Sequence, residues 1–234
     1  MERYVFILAR ESSDRFPLKH LTPIAGTPLL QRLKWVFEDA GCTPVLVTGT
    51  YKDNFHYADY CTSIGMDFYC EDWLPEWDIV GRLNNAYLAR NTNDAVIHSG
   101  DCVFPDTRIM DKLWTLLEVN PGAWEVSTYI TPHAMGGERA VNIKRRSYWQ
   151  HIDALLKQED RRREQWGSVP EVQRLVNGKG IVLPPDFDTT KTRMKVSIDW
   201  PLEAAIATKI VEHLGRWPET DEDILTAYRE ITSL

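Results

Sequence analysis

Between Tyr4 and Lys19 the chain passes from a short, unbroken apolar run straight into a loop that concentrates positive charge. Val5 to Leu8 consists of strand-forming residues with no polar alternation and is too short for a helix, so it reads as a buried strand. The loop behind it carries three fixed cations, Arg10, Arg15 and Lys19, with Ser12, Ser13 and Asp14 among them, and Pro17 stiffens its exit. A helix signal follows. After Gly26, Thr27 is placed as N-cap, Pro28 at the first helical position, and Leu29, Leu30, Leu33, Val36 and Phe37 form the apolar pattern. Strand, cationic loop and helix in this order put the loop at the carboxyl end of a parallel sheet, where α/β proteins bind ligands. Three cations there call for an anion, and a triphosphate is the obvious one. The bland alternative is a set of solvated charges on a surface loop.

The rest of the chain repeats the alternation. Pro44 to Thr48 is a second buried strand, Phe55 to Ile64 a helix closing at Gly65, and Asp67 to Cys70 a short third strand. Asp78 caps a helix on which Ile79, Leu83, Ala86 and Tyr87 share a face, and Asp94 to His98 is a fourth strand. Ile109 to Leu117 reads as a helix, Trp124 to Ile130 and Ala140 to Ile143 as strands, and Ser147 to Leu156 as a helix. A late strand is expected over Arg193 to Ile198, then helices from Pro201 to Leu214 and from about Thr220 to Ile231. The expectation is a single α/β domain over residues 1–234, Rossmann-like, with three layers and a mostly parallel sheet. The Pro/Gly interruption from Thr131 to Gly137 marks the root of a lid or dimerisation excursion around 131–190.

Composition excludes several classes of function. A net charge of −7 argues against a general nucleic-acid surface. No apolar run approaches the ~20 residues that span a bilayer. Glu2 and Arg3 lead directly into a core strand, so no N-terminal signal is expected and a cytoplasmic protein is. Cys42, Cys61, Cys70 and Cys102 lack ligand spacing and read as reduced core thiols. Most of the nine tryptophans are expected in the core or at an interface.

Two aspartates directly follow apolar strands: Asp101 after AVIHSG and Asp199 after KVSI. If both strands belong to the parallel sheet, both carboxylates open on the rim that carries the cationic loop. Mg²⁺ favours one or two carboxylates completed by phosphate oxygens and water, so such a pair suits nucleotidyl transfer. The competing reading makes Asp199 only the N-cap of the helix opening at Pro201.

The spacing Arg10-x-x-Ser13-x-Arg15-x-Pro17-x-Lys19, preceded by Leu8 and Ala9, resembles the signature loop of the cytidylyltransferases that make CMP-sugars. The likeness is strongest to the CMP-Kdo synthetases and the spore-coat-polysaccharide type. Gly100-Asp101-Cys102, with Pro105-Asp106 soon after, resembles the family's GDxP segment, and Ser197 to Glu203 its late vDtpeD segment. Trp77 to Arg82 is similar to DVLgR, and Arg163-Glu164-Gln165 stands where the family has REH. The matches span Tyr4 to about Leu214. The resemblance implies that Leu8, Ala9, Arg10, Ser13, Lys19, Asp78, Arg82 and Gly100 bind the nucleotide. It further implies that Arg10, Arg15, Lys19 and Asp101 act on the phosphates, and that Asp101 and Asp199 hold Mg²⁺. Three departures are Val103-Phe104 for Pro-Leu, an acid at Glu203 displaced by one position, and Gln165 for histidine.

The implied reaction is Mg²⁺-dependent activation of a sugar acid or sugar phosphate by CTP with release of pyrophosphate, in a homodimer. Two other readings are a glycosyltransferase using a nucleotide-sugar and a non-catalytic nucleotide-binding protein. The first normally shows Asp-x-Asp at a strand end, and Asp101-Cys102-Val103 lacks the second acid.

Overall fold

A computed structural model describes residues 2–75, 78–127, 139, 141–158, 179–182 and 195–233. Outside these lie the 131–137 loop, most of the 131–190 excursion, Trp77, the segment Arg163 to Gln165 and the first residues of the late strand.

The central strand is β1 (Tyr4–Leu8), which pairs in parallel with β4 (Thr43–Val47) on one side and β6 (Asp94–Ser99) on the other. Phe6 lies opposite Val45 and Ile97, so β1 is hydrogen-bonded along both edges. Flanked twice, its central residues Val5 to Ile7 face no water, which is why they show no polar alternation. Beyond β4 lies β5 (Asp67–Tyr69). Beyond β6 come β8 (Asn142–Arg145), β7 (Glu125–Ser127) and β9 (Gly180–Val182), giving the order β5-β4-β1-β6-β8-β7-β9. Only β8 runs against the others among these seven strands.

Alternate residues of β1 feed two cores. Val5 and Ile7 pack with helices α1 (Leu29–Asp39), α2 (Phe55–Ser63), α4 (Met110–Val119), α6 (Pro201–Leu214) and α7 (Asp221–Thr232). Phe6 points the other way, into α3 (Ile79–Ala89) and α5 (Arg146–Gln158), with its ring edge-on to Tyr87 at 4.9 Å. This is the three-layer arrangement expected from the alternating strands and helices. Cys42 and Cys61 are buried thiols whose pKa values burial raises, to about 11 and about 12. No helix among the described residues is long and apolar enough to cross a membrane.

Two expectations are corrected. Thr27 does not cap α1 and Pro28 is not its first helical residue. They form β3, paired with β2 (Pro23–Ile24) across a turn in which Ala25 and Gly26 have φ of +48° and +80°. Positive φ at both central residues is the two-residue hairpin geometry that matches strand twist, and it commits Thr27 to pairing with Ile24. Pro28 is therefore extended, with ψ of 140°, and the helix starts at Leu29. The second correction concerns the late strand. Its described residues form no strand of the sheet, only an isolated antiparallel bridge between Ser197 and Cys102.

Candidate active site

The loop after β1 is bent back over the carboxyl rim of the sheet and fastened there. The Ala9 amide bonds to the Val47 carbonyl at 3.4 Å, extending the β1–β4 ladder by one step. The Glu11 amide donates to Asn54 Oδ1 at 2.9 Å, and the Glu11 carboxylate takes the Tyr57 amide at 3.0 Å and His56 Nδ1 at 2.8 Å. These bonds tie the loop to the start of α2. Ser13 Oγ accepts from the Phe16 amide at 3.3 Å, which turns the chain. Leu18, at φ +54°, then feeds the short 3₁₀ turn Lys19–Leu21. Lys19 is only 8% exposed, so the sequence, in which it lies outside any apolar pattern, understates how deeply it is set.

What Lys19 meets there is the pair of aspartates. Its Nζ lies 2.6 Å from Asp101 Oδ2 and 3.6 Å from Asp199 Oδ1, so one ammonium bridges two carboxylates. Arg15 reaches Asp199 Oδ1 at 2.6 Å, with its guanidinium 6.0 Å from the centre of the Trp200 ring. The residues brought together are therefore Arg15, Lys19, Asp101 and Asp199, separated by up to 184 positions in sequence.

The route by which Asp199 arrives differs from the expected one. Asp101 follows β6, a parallel strand of the sheet. Asp199 follows the antiparallel bridge, in which the Val103 amide bonds to the Val196 carbonyl at 3.1 Å and the Ile198 amide to the Asp101 carbonyl at 2.9 Å. The two acids converge because their backbones are hydrogen-bonded to each other. Nor does Asp199 cap α6: Trp200 is the N-cap residue, and the Asp199 carboxylate faces the cations. The acid that orders this helix start is Glu203, whose Oε2 accepts the Asp199 amide at 2.5 Å and the Trp200 amide at 2.7 Å. The shifted acid thus positions Asp199.

Gly100 has a steric reason. A Cβ there would sit 2.9 Å from the Leu8 carbonyl oxygen and 3.0 Å from the His20 ring, while the Gly100 amide donates to that same carbonyl at 2.8 Å. Leu8, Ala9 and Gly100 therefore form the tight seam under the loop. His20 is sealed beneath it. Its Nδ1 lies 2.9 Å from the Tyr57 hydroxyl, and burial lowers its pKa to about 3. His98 is likewise buried, its Nε2 donates to the Cys102 carbonyl at 2.9 Å, and burial lowers its pKa to about 4. Both imidazoles are neutral fixtures of the site floor at pH 7.

Burial pushes the Asp101 carboxyl up. Lys19 and the Ser99 hydroxyl, 2.6 Å from Oδ1, outweigh it and hold the acid below its ordinary value. At Asp199 burial again raises, and Lys195, Lys19 and Arg15 together lower by more. Two ionised acids joined through one ammonium define a place that accepts positive charge. The donor set fits a hard divalent cation: two carboxylates are what Mg²⁺ takes from a protein when phosphate and water complete its shell. Among the described residues no group of three or more His, Cys, Asp or Glu side chains forms a closed metal cage.

The remaining expected site residues stand elsewhere on the scaffold. Arg10 is exposed at the mouth of the loop and has an interaction of its own. Asp78 and Arg82, each 4% exposed, occupy the start of α3, where Asp78 Oδ1 accepts the Gly81 amide at 2.9 Å. Asp78 is thus the N-cap that the sequence indicates. Val103 and Phe104, the departure after Gly100-Asp101, are buried core residues, with Phe104 edge-on to Trp217 at 4.9 Å.

Sequence reasoning missed Lys195, which reaches both Asp199 Oδ2 and, at 3.2 Å, Glu203 Oε1. No spacing rule singles it out, because it lies four residues before Asp199 in a segment that is not helical. Glu203 could have been found from its place three residues after Trp200, the spacing at which an acid reaches back to a helix start.

Among the described residues a seven-stranded sheet with one reversed strand lies between two layers of helices, an α/β fold shared with nucleotidyltransferases of known structure. Solved structures place the chain in that fold class. A cytidylyltransferase from Leptospira borgpetersenii superposes with a TM-score of 0.77 at 20% identity, covering 100% of this chain and 96% of that one. CMP:2-keto-3-deoxy-manno-octonic acid synthetase in complex with CTP gives 0.59 at 15% identity, over 88% of this chain and 99% of that one. A Bacillus anthracis protein assigned as a glucose-1-phosphate thymidylyltransferase gives 0.56 at 13% identity, over 96% and 98%. No family model matches the sequence, and no curated protein matches it. At these identities the likeness is one of fold.

Proposed function

We propose that the protein is a Mg²⁺-dependent nucleotidyltransferase that activates a sugar acid or sugar phosphate, with CTP as donor. The observation that carries this reading is the Lys19 ammonium spanning Asp101 and Asp199 at 2.6 and 3.6 Å, with Arg15 beside it on the same loop. In the reaction an anionic sugar oxygen attacks the α-phosphorus. The new P–O bond forms as the α–β P–O bond breaks, and its electron pair leaves with pyrophosphate. Arg15 and Lys19, with Arg10 at the loop mouth, bind phosphate oxygens and offset charge that grows on the leaving group. Asp101 and Asp199 would hold Mg²⁺, which would supply neutralisation of the triphosphate charge. Glu203 and the Cys102–Ser197 bridge keep the two acids in register, so positioning does most of the work. The base preference rests on the resemblance of the loop to CMP-sugar enzymes and on the CTP complex of a structural neighbour. The test is pyrophosphate release with each of four nucleoside triphosphates against a panel of sugar acids and sugar phosphates. Release that needs Mg²⁺, one triphosphate and one acceptor is the expected result. No release with any pair would refute the reading.

A further inference from the structure

Both carboxylates of the rim are fully engaged by the protein's own donors. Asp101 Oδ2 takes Lys19 at 2.6 Å and Oδ1 takes the Ser99 hydroxyl at 2.6 Å. Asp199 Oδ1 takes Arg15 at 2.6 Å, and Oδ2 takes Lys195. A divalent cation that uses both acids therefore competes with these donors for the same oxygens, and the cations among them repel it. Exposure excludes Lys19 as the one that yields, and between Arg15 and Lys195 the choice falls on the cation that has a second carboxylate to go to. Lys19 is held at 10%, whereas Lys195 is 38% exposed at its side chain and has a second partner waiting. Glu203 spends Oε2 on two backbone amides, and its Oε1 already lies 3.2 Å from the Lys195 ammonium. Lys195 can give up Asp199 and keep an ion pair. Arg15, 54% exposed, is free to turn to an arriving phosphate.

We infer that Lys195 is a built-in substitute for the divalent cation at Asp199. It neutralises the carboxylate when no metal is bound and moves to Glu203 when one binds. This rests on the reading of Asp101 and Asp199 as the metal acids. The arrangement keeps a half-buried acid ionised and correctly placed without leaving an uncompensated charge, and it sets a threshold on metal affinity. Lys195 is accordingly a positioning residue whose effect is on metal occupancy.

The experiment is direct titration of nucleotide-free protein with Mn²⁺, read by the loss of free Mn²⁺ signal in electron paramagnetic resonance. Lys195→Met is expected to bind Mn²⁺ about 2- to 5-fold tighter than the parent, the upper part of the range set by a partly exposed ion pair. Lys195→Arg, which keeps a cation on Asp199, should stay near the parent value. Lys209→Met removes the same charge from an exposed position on α6 and should also stay there. A second readout is melting temperature in a chelator. Lys195→Met should melt lower than the parent and recover on addition of Mg²⁺. Equal Mn²⁺ affinity in Lys195→Met and the parent overturns the inference. So does an equal gain in Lys209→Met, which would reduce the effect to the general field of the protein. Should the Mn²⁺ series behave as expected while no triphosphate is turned over, the proposed reaction fails and this inference stands. Turnover with a flat Mn²⁺ series overturns this inference and leaves the proposed reaction standing.

Discussion

Mild acid tests the burial of the two histidines under the phosphate loop. His20 and His98 are each 2% exposed, and burial lowers them to about 3 and about 4 from an ordinary 6.5. The partners explain why a second proton is unwelcome. The Tyr57 oxygen accepts the His20 amide at 3.4 Å, which leaves the Tyr57 proton for His20 Nδ1. His98 uses its Nε2 proton on the Cys102 carbonyl, with its ring 5.1 Å from that of Phe37. Between about pH 6.5 and the folded values, the unfolded chain binds these protons and the folded one does not, so stability falls as pH falls. At about pH 5 each histidine should cost on the order of 2 kcal/mol relative to neutral pH. Together that is a large part of a typical total of about 5–15 kcal/mol. The melting temperature should drop by roughly 10 °C, given about 2–4 °C per kcal/mol in a chain of this size. Differential scanning calorimetry at about pH 7.5, 6 and 5, spanning the ordinary histidine range, measures it. Asp94 and Asp221, raised by burial, oppose the trend only near the carboxylate range at its acid end. His98→Gln should remove about half of the pH dependence while lowering stability at neutral pH. A melting temperature that stays flat from neutral pH to about pH 5 would show that the imidazoles are reached by water, and the reasoning would fall.

Lys19→Ala should slow pyrophosphate release by about 30- to 1000-fold, or roughly 2–4 kcal/mol, because it removes a cation from a desolvated phosphate site; an unchanged kcat/KM would place Lys19 outside the reaction. Asp101→Asn and Asp199→Asn should each abolish most turnover, Asp101→Asn also lowering the metal-free melting temperature because Lys19 loses the carboxylate that compensates it, and normal turnover in Asp199→Asn would leave Asp101 to hold the metal alone. Gly100→Ala should destabilise by about 1–3 kcal/mol, because its Cβ meets the Leu8 carbonyl backbone at 2.9 Å; a urea midpoint equal to that of the parent would contradict the seam. Light scattering at micromolar protein should give a homodimer, and a mass near 27.0 kDa would refute it.

The sequence alone determined the elements that depend on local chemistry. β1, β4 and β6 are short runs of apolar β-formers, too short for a buried helix and so read as strands covered on both faces. Asp78 caps α3, as its side chain and place in the sequence indicate, because a cap is made within one turn of chain. The cationic loop and Asp101 were legible for the same reason, because they abut strands, and Asp199 because it ends an apolar run. Only tertiary structure decided how those parts meet. Thr27 and Pro28 look like a helix start, yet the positive φ of Ala25 and Gly26 folds them into a hairpin. Asp199 looks like the end of a sheet strand, yet it reaches Asp101 through the antiparallel bridge between Ser197 and Cys102. Lys195 acquires its role from a carboxylate pair, Asp199 and Glu203, that a helix cap sets in place. Lys19 is buried because Asp101, 82 positions away, compensates its charge there. Charge compensation between distant segments is a property of the folded surface, and it leaves no periodic trace in the chain.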